Sequence, residues 1–243
     1  MSAPPFPKVR IPLPPPGEPL DWAAVFGRGE APRVVDLGCG NGQFLLRSAA
    51  RRPGHDHLGI DIVPPSIRHA VERAVAQRLA NARFAVGDAH GFVTGGGAAP
   101  ASLAEVHVYH PQPYVDPAQK RMRLLTPAFL DAVRRALAPD GVLVVQSDND
   151  RYWRFILTTV PLLFRFEPKD GPWPDAPEGR TLRETRARRR GMRVYRGIGR
   201  PRKDLADDEV AALLARLPEP DFEAARPAGA RRGEARRQAG REH

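Results

Sequence analysis

Residues 34–44, VVDLGCGNGQF, place Gly38, Gly40 and Gly42 two apart, just after an apolar run and two residues beyond an acid, Asp36. Glycine lets the backbone take positive φ and lets a ligand approach main-chain N–H groups closely. A dinucleotide-binding turn needs G-x-G-x-x-G, whose third glycine would fall at position 43, and that residue is Gln. The G-x-G-x-G spacing with a preceding acid is instead that of an S-adenosylmethionine pocket. The competing reading is a tight strand-to-helix turn that binds nothing. Asp61 closes LGIDI, 21 residues past Gly40, where a carboxylate accepts from a ribose diol in NAD and S-adenosylmethionine alike. Asp88, in VGDAH, is placed either to accept an adenine amino group or to cap a helix.

These residues need elements to hold them. Short apolar runs predict strands at Arg33–Leu37, His57–Ile62, Ala82–Val86, Glu105–Tyr109 and Val142–Gln146. Helical spacing predicts helices at Gln43–Arg51, Ser66–Leu79 and Thr126–Leu137, the last closed by Pro139-Asp140-Gly141. Strand–helix alternation with short connections predicts an α/β protein with a doubly wound, mostly parallel sheet. Ligands then sit at the carboxyl ends of the strands, where all three acids fall. Residues 1–19 hold eight prolines and read as an extended arm outside the core. The expected domain spans 20–200, followed at 201–243 by a basic Ala/Arg-rich tail, partly disordered.

Composition sets limits. Lys plus Arg exceed Asp plus Glu by 38 to 28, a net charge of +10, which favours a polyanionic partner over a purely solubilising role only when other signals agree. No apolar run reaches the ~18 residues of a membrane span, and MSAPPFPKVR lacks the layout of a secretory signal. The single cysteine, Cys39, forms neither an internal disulfide nor a Cys-based zinc site, and reads as a packed residue in a reducing compartment. The histidine pairs His55/His57 and His107/His110 lack the H-E-x-x-H form, so no metal is expected.

The fourth strand runs into VYHPQPYVDPAQKRMRLLTPAFL. Two prolines flanking one residue, then an aromatic, basic residues and a helix, resemble the bacterial tRNA (guanine-N7)-methyltransferase family, whose loop reads Pro-Asp-Pro-Trp followed by Lys. LDWAAVFG, VVDLGCGNG, LGIDIVPPSI, SDNDRYW and TLRETRARRRGMRVYRGIGR resemble further segments of that family, in the same order, over roughly 20–200. This chain departs from it at Gln112 for Asp, Tyr114 for Trp and Asp116 for Lys, while Lys120, Arg121 and Arg123 keep the later basic character.

The resemblance implies a class I S-adenosyl-L-methionine-dependent methyltransferase fold. It implies methyl transfer to guanosine N7 in the tRNA variable loop, in the cytoplasm, by a monomer or weak homodimer. Asp36, Gly38, Gly40, Asp61, Asp88 and Gln112 would line the cofactor; Asp116, Asp148, Thr181 and Glu184 would meet the RNA. Asp148 and Glu184 would steady the charge a purine gains on methylation, and Glu184 could also accept from guanine N1–H and its amine. The local alternatives are an N-cap for Asp148 and a capping box for Thr181-x-x-Glu184. Eight arginines between 183 and 200 read as phosphate contacts or as a solvated face. Trp22, Trp153 and Trp173 read as core or lid residues rather than base-stacking platforms, with Trp173, in GPWP, the one exception open to stacking on a base. A methyltransferase with another acceptor, or a non-catalytic RNA-binding relative, are the rival functions.

Overall fold

A computed structural model describes residues 6–217, the side chain of residue 117 excepted. Among these residues one seven-stranded sheet is formed by β1 (Arg33–Leu37), β2 (Asp56–Asp61), β3 (Ala82–Val86), β4 (Leu103–Tyr109), β5 (Leu137–Ser147), β6 (Phe164–Lys169) and β7 (Tyr195–Pro201), in the order β3-β2-β1-β4-β5-β7-β6. β1 to β5 pair in parallel, and β7 runs antiparallel between β5 and β6. The expected doubly wound, mostly parallel sheet is therefore observed. Val34, Val35 and Leu37 of β1 are buried on both faces, which is why this strand reads as a continuous apolar run rather than an alternating one.

One face of the sheet carries α2 (Gln43–Arg51) and α3 (Pro64–Ala76), packed through Phe44, Leu45, Ile67 and Ala70. The other carries α1 (Trp22–Phe26), α4 (Ala89–Thr94), α5 (Pro127–Ala136) and α6 (Asp150–Leu163). Phe129, Leu130 and Val133 of α5 are fully buried, and each contributes about 2 kcal/mol of hydrophobic stabilisation. Thr126 caps α5, its hydroxyl accepting from Phe129 N–H at 3.2 Å, and Pro127 supplies the pre-set φ of the first turn.

Three expectations need correction. The prolines at 12, 14, 15 and 16 do not keep the N-terminal segment outside the core. Val9 is buried, Phe84 N–H donates to Val9 C=O at 2.9 Å, and Ile11 N–H donates to Phe84 C=O at 3.0 Å, so the segment covers the open edge of β3. An edge tolerates proline because only one side of the added chain must bond. The segment Pro139-Asp140-Gly141 does not separate helix from strand. Leu137 already pairs with Leu103, and the turn is an outward bulge within β5 before pairing resumes at Glu105↔Val142. Residues 201–217 are not tail throughout: α8 (Asp207–Leu214) buries Val210 in the same core. Residues 218–243, where the remaining tail expectation falls, lie outside the described residues.

Candidate active site

Strand order reverses between β1 and β4, so the loops after them diverge, and a pocket of about 1030 Å³ opens at their carboxyl ends. Asp36, one residue from the end of β1, is 2% exposed, and its Oδ1 has no hydrogen-bond partner. Burial first, then the negative charge of Asp61, pushes its carboxyl up to about 8. A buried acceptor left unpaired is costly, and a ligand donor reaching the pocket floor would satisfy it. Gly38 and Gly40 have φ of 82° and 54°, and a Cβ at either would meet nothing within 4 Å, so the ligand side of the turn stays clear. Gly42 differs: a Cβ there would come within 2.8 Å of Phe84. The third glycine serves packing of α2 on the sheet, and the first two serve the pocket.

Asp61 is oriented by main chain. Its Oδ2 accepts from Gly40 N–H and its Oδ1 from Val63 N–H, both at 2.8 Å, and each oxygen keeps a lone pair for a hydroxyl. Asp88 is the N-cap of α4, Oδ1 accepting from His90 N–H at 2.9 Å, and it also lines the pocket. For Asp88 the capping and ligand-facing readings are compatible. These donors and acceptors fit S-adenosylmethionine: an unpartnered carboxyl on the floor, an open glycine turn, and an oriented carboxylate beside it.

The other end of the pocket is built by the loop after β4. Gln112 is exposed on its wall, between His110 and Tyr114, which take φ of 52° and 41°. Non-glycine residues hold that conformation only when neighbours enforce it. Arg123 does so for Tyr114: it is buried and donates to the carbonyls of Pro113 and Tyr114, each at 2.8 Å. Arg123 therefore clamps the loop instead of extending the surface basic run. Arg121 does line the pocket.

His110 is held by a buried chain of donors. Trp173 Nε1–H donates to Gln146 Oε1 at 2.6 Å, which fixes the Gln146 amide; its Nε2–H then meets His110 Nε2 at 2.8 Å. That order makes His110 the neutral Nδ1–H tautomer, donating to Asp148 Oδ1 at 3.1 Å. Arg183 Nε–H donates to Asp148 Oδ2 at 2.9 Å. Burial raises the Asp148 carboxyl, but the hydrogen bonds from His110 and Arg183 outweigh it and hold the group below the usual carboxylate range. Asp148 is not the cap of α6. Asn149 is, accepting from Tyr152 N–H at 2.8 Å.

Three sequence-predicted residues are placed elsewhere. Glu184 is fully buried; Oε1 is bonded to Arg196 and Oε2 accepts from Arg180 N–H at 2.7 Å, so it locks α7 (Leu182–Arg189) to β7 and does not face the pocket. Thr181 does line the pocket, while its hydroxyl caps α7 by accepting from Glu184 N–H at 3.1 Å. Asp116 is exposed and caps the 3-10 turn Pro117–Met122, accepting from Ala118 N–H at 2.9 Å. Trp173 is not a stacking platform: it is 5% exposed, with the Arg180 guanidinium 4.1 Å above its ring. His110 and Gln146 escaped sequence reasoning as site residues, and Arg183, read there as one of the phosphate-facing arginines, is instead committed to Asp148. The one available signal was the position of His110, at a strand end directly before Pro-x-Pro.

A protein family described as "Putative methyltransferase" matches residues 30–197. The tRNA (guanine-N(7)-)-methyltransferase of Halorhodospira halophila is 35% identical over 77% of this chain and 82% of its own length. The protein of the same name from Alkalilimnicola ehrlichii is 33% identical over 77% and 78%. A solved 16S rRNA methyltransferase shares the fold with a TM-score of 0.55 at 14% identity, over 76% of this chain and 94% of its own.

Proposed function

Because the chain belongs to the tRNA (guanine-N(7)-)-methyltransferase family, we propose that it transfers a methyl group from S-adenosyl-L-methionine to N7 of a guanosine in the tRNA variable loop. The observation that carries this reading is one pocket holding both an unpartnered Asp36 oxygen at its floor and the Gln112–Asp148–Arg183 wall at its mouth. No helix of the described residues is long and apolar enough to cross a membrane.

Guanine N7 carries a free lone pair in the neutral base, so no general base is required. When bound, the cofactor supplies an electrophilic methyl on a sulfonium. The chain's task is in-line positioning, which can supply on the order of 7–11 kcal/mol of such a barrier. Asp36, Asp61, Asp88 and the Gly38–Gly40 turn would hold one reactant, the clamped loop would meet the other, and Gln112 on that loop would line the cofactor where the two come together. The purine becomes cationic in the transfer, and Asp148 is the acceptor-end carboxylate whose negative charge is secured, although its Arg183 partner offsets part of that charge. Arg121 and Arg186, on the same rim, would meet phosphates.

The test is nucleoside analysis of unmodified tRNA incubated with the protein and methyl-labelled cofactor, with labelled 7-methylguanosine expected. A second reading, the same chemistry on another acceptor, is favoured by one observation: the departures Gln112, Tyr114 and Asp116 cluster in the acceptor loop while the glycine turn is intact. Cofactor binding without 7-methylguanosine in tRNA would select it.

A further inference from the structure

A second groove, of about 410 Å³, adjoins the pocket and shares Met192 with it. Nothing in the methyl-transfer reading uses it. In its wall the Trp153 and Tyr195 rings stack with centroids 5.4 Å apart and planes 12° from parallel, and the Arg193 guanidinium carbon lies 4.8 Å over the Tyr195 ring. The three planar groups form a ladder whose Arg193 end is exposed to solvent. Arg196, also in the wall, is 5% exposed and its Nε–H has no partner. Lys169 and Arg188 add positive charge, Lys169 being paired with Glu167, against the carboxylates of Asp170 in the groove and of Asp150, which accepts from the Tyr195 hydroxyl and lies within the field of Arg193.

Several arginines of the chain beside the groove have no carboxylate of the described residues within ion-pair distance. Among the described residues Arg186, Arg189, Arg190 and Arg193 make no ion pair, although they fall within eight positions. Like charges this close repel, and a polyanion lying across them relieves the repulsion. A guanidinium held flat over an aromatic ring offers its plane to a nucleobase without reading its identity.

We propose that this groove seats a nucleotide adjacent to the methylated guanosine, its base stacked on the Arg193–Tyr195–Trp153 ladder and its phosphate beside Lys169 and Arg188. The proposal rests on the tRNA reading above. It makes the groove a grip on the RNA chain next to the reacting base, independent of sequence.

The experiment uses tRNA transcripts carrying one abasic nucleotide immediately 5′ or 3′ of the methylated guanosine, with the wild-type protein and the exposed-site variants R193A and R193K. One of the two abasic transcripts should bind the wild type about fivefold or more weakly, the loss of a single base stack. R193A should bind intact and abasic tRNA equally. R193K keeps the charge but not the plane, so it should also lose the distinction while keeping the salt dependence of binding. A wild type that methylates tRNA but is indifferent to both abasic positions overturns the groove and leaves the function standing. So does an abasic penalty that persists undiminished in R193A. Absence of 7-methylguanosine with intact tRNA overturns the function and the groove together.

Discussion

His110 Nδ1 lies 3.1 Å from Asp148 Oδ1, so the first residue of the acceptor loop is tied to the carboxylate that follows β5. The tie links two strand ends that are neighbours in the sheet, and Gln146, buried on β5, closes it from behind at 2.8 Å. Loop shape and carboxylate orientation are thus one unit. Replacing His110 by Phe removes a donor to Asp148 and an acceptor for Gln146, leaving the buried Gln146 amide and the half-buried Asp148 carboxylate each short of a partner. The expected stability loss is about 1–3 kcal/mol for each unpaired group. Methyl transfer should slow in the chemical step while cofactor affinity stays near its wild-type value, because His110 is hydrogen-bonded to Asp148 and Gln146 and not to Asp36, Asp61 or the glycine turn. Thermal unfolding, single-turnover rates and cofactor calorimetry separate these effects; an equal loss in cofactor affinity would refute the division of the pocket into two ends.

The raised Asp36 carboxyl gives pH dependences of opposite sign for folding and binding. An aspartate that titrates near 3.9 unfolded and about 8 folded keeps in the native state a proton that the unfolded chain has lost. Its contribution to stability therefore falls as pH rises from about 4 to 8, by at most about 1.4 kcal/mol per pH unit. A ligand donor that pairs with the ionised carboxylate should bind more tightly over the same interval, by up to about tenfold per unit, and level off above 8. Asp36→Asn should flatten both curves. Calorimetry at several pH values checks this, and an affinity that falls between pH 6 and 8 in the wild type sinks the assignment.

Asp61 acts through the ligand and through the loop. Asp61→Ala should cost roughly a hundredfold or more in cofactor affinity, from two charge-assisted bonds at about 1.5 kcal/mol or more each. It also frees Gly40 N–H and Val63 N–H, so some of the loss comes from a looser glycine turn. Cofactor titration beside tRNA titration tests the assignment: cofactor binding should suffer more than RNA binding, and unchanged cofactor affinity would remove Asp61 from the pocket's function.

Much of this arrangement was legible in the residues. Asp36, Gly38, Gly40 and Asp61 follow from strand ends and glycine spacing, because local pattern alone puts them at the mouth of a parallel sheet. What pattern could not show was competition for side chains. Glu184 is an acid that the resemblance turns toward RNA, yet it is consumed by Arg196 and a main-chain N–H, and the exposed Asp116 also caps a 3-10 turn. Both partnerships depend on three-dimensional packing or turn geometry. His110 and Gln146 meet across 36 positions, so no local window couples them. The N-terminal prolines point to an extended chain, which is correct for Val9–Ile11, but not to the edge it covers.

The arginine run divides in the same way. Arg183, Arg196 and Arg200 are committed to Asp148, Glu184 and the Asp140 carbonyl, whereas Arg186 and Arg190 are exposed on the pocket rim. Each phosphate contact contributes about 0.7 to 0.9 to the log–log salt slope of binding. Arg186→Gln with Arg190→Gln should therefore lower the slope for tRNA by about 1.4 to 1.8. Arg200→Gln should leave it unchanged. Equal slopes for the double variant and the wild type would make the rim a solvated face with no role in RNA binding.

Gln112 and Tyr114 are where the pocket wall departs from the family pattern that this sequence resembles, and at Gln112 the expected effect is on rate. Gln112 is exposed in the pocket, able to orient a ligand by hydrogen bonds but contributing no charge. The purine turns cationic only as the methyl moves, so a carboxylate here would favour the transition state over the bound base. Loss of one preorganised electrostatic partner typically costs about 3 kcal/mol, so Gln112→Asp should accelerate single-turnover methylation by up to about a hundredfold. Aspartate is one methylene shorter, and the clamp from Arg123 keeps the loop from following it inward, so Gln112→Glu serves as the variant with preserved reach. Asp116→Lys, another family-restoring change, should not help in the same way: it removes the cap on Ala118 N–H and should cost about 1 kcal/mol of local stability. Rates measured with unmodified tRNA decide the matter. If neither Gln112→Asp nor Gln112→Glu raises the yield of 7-methylguanosine, the loop is built for an acceptor whose reaction does not need that charge.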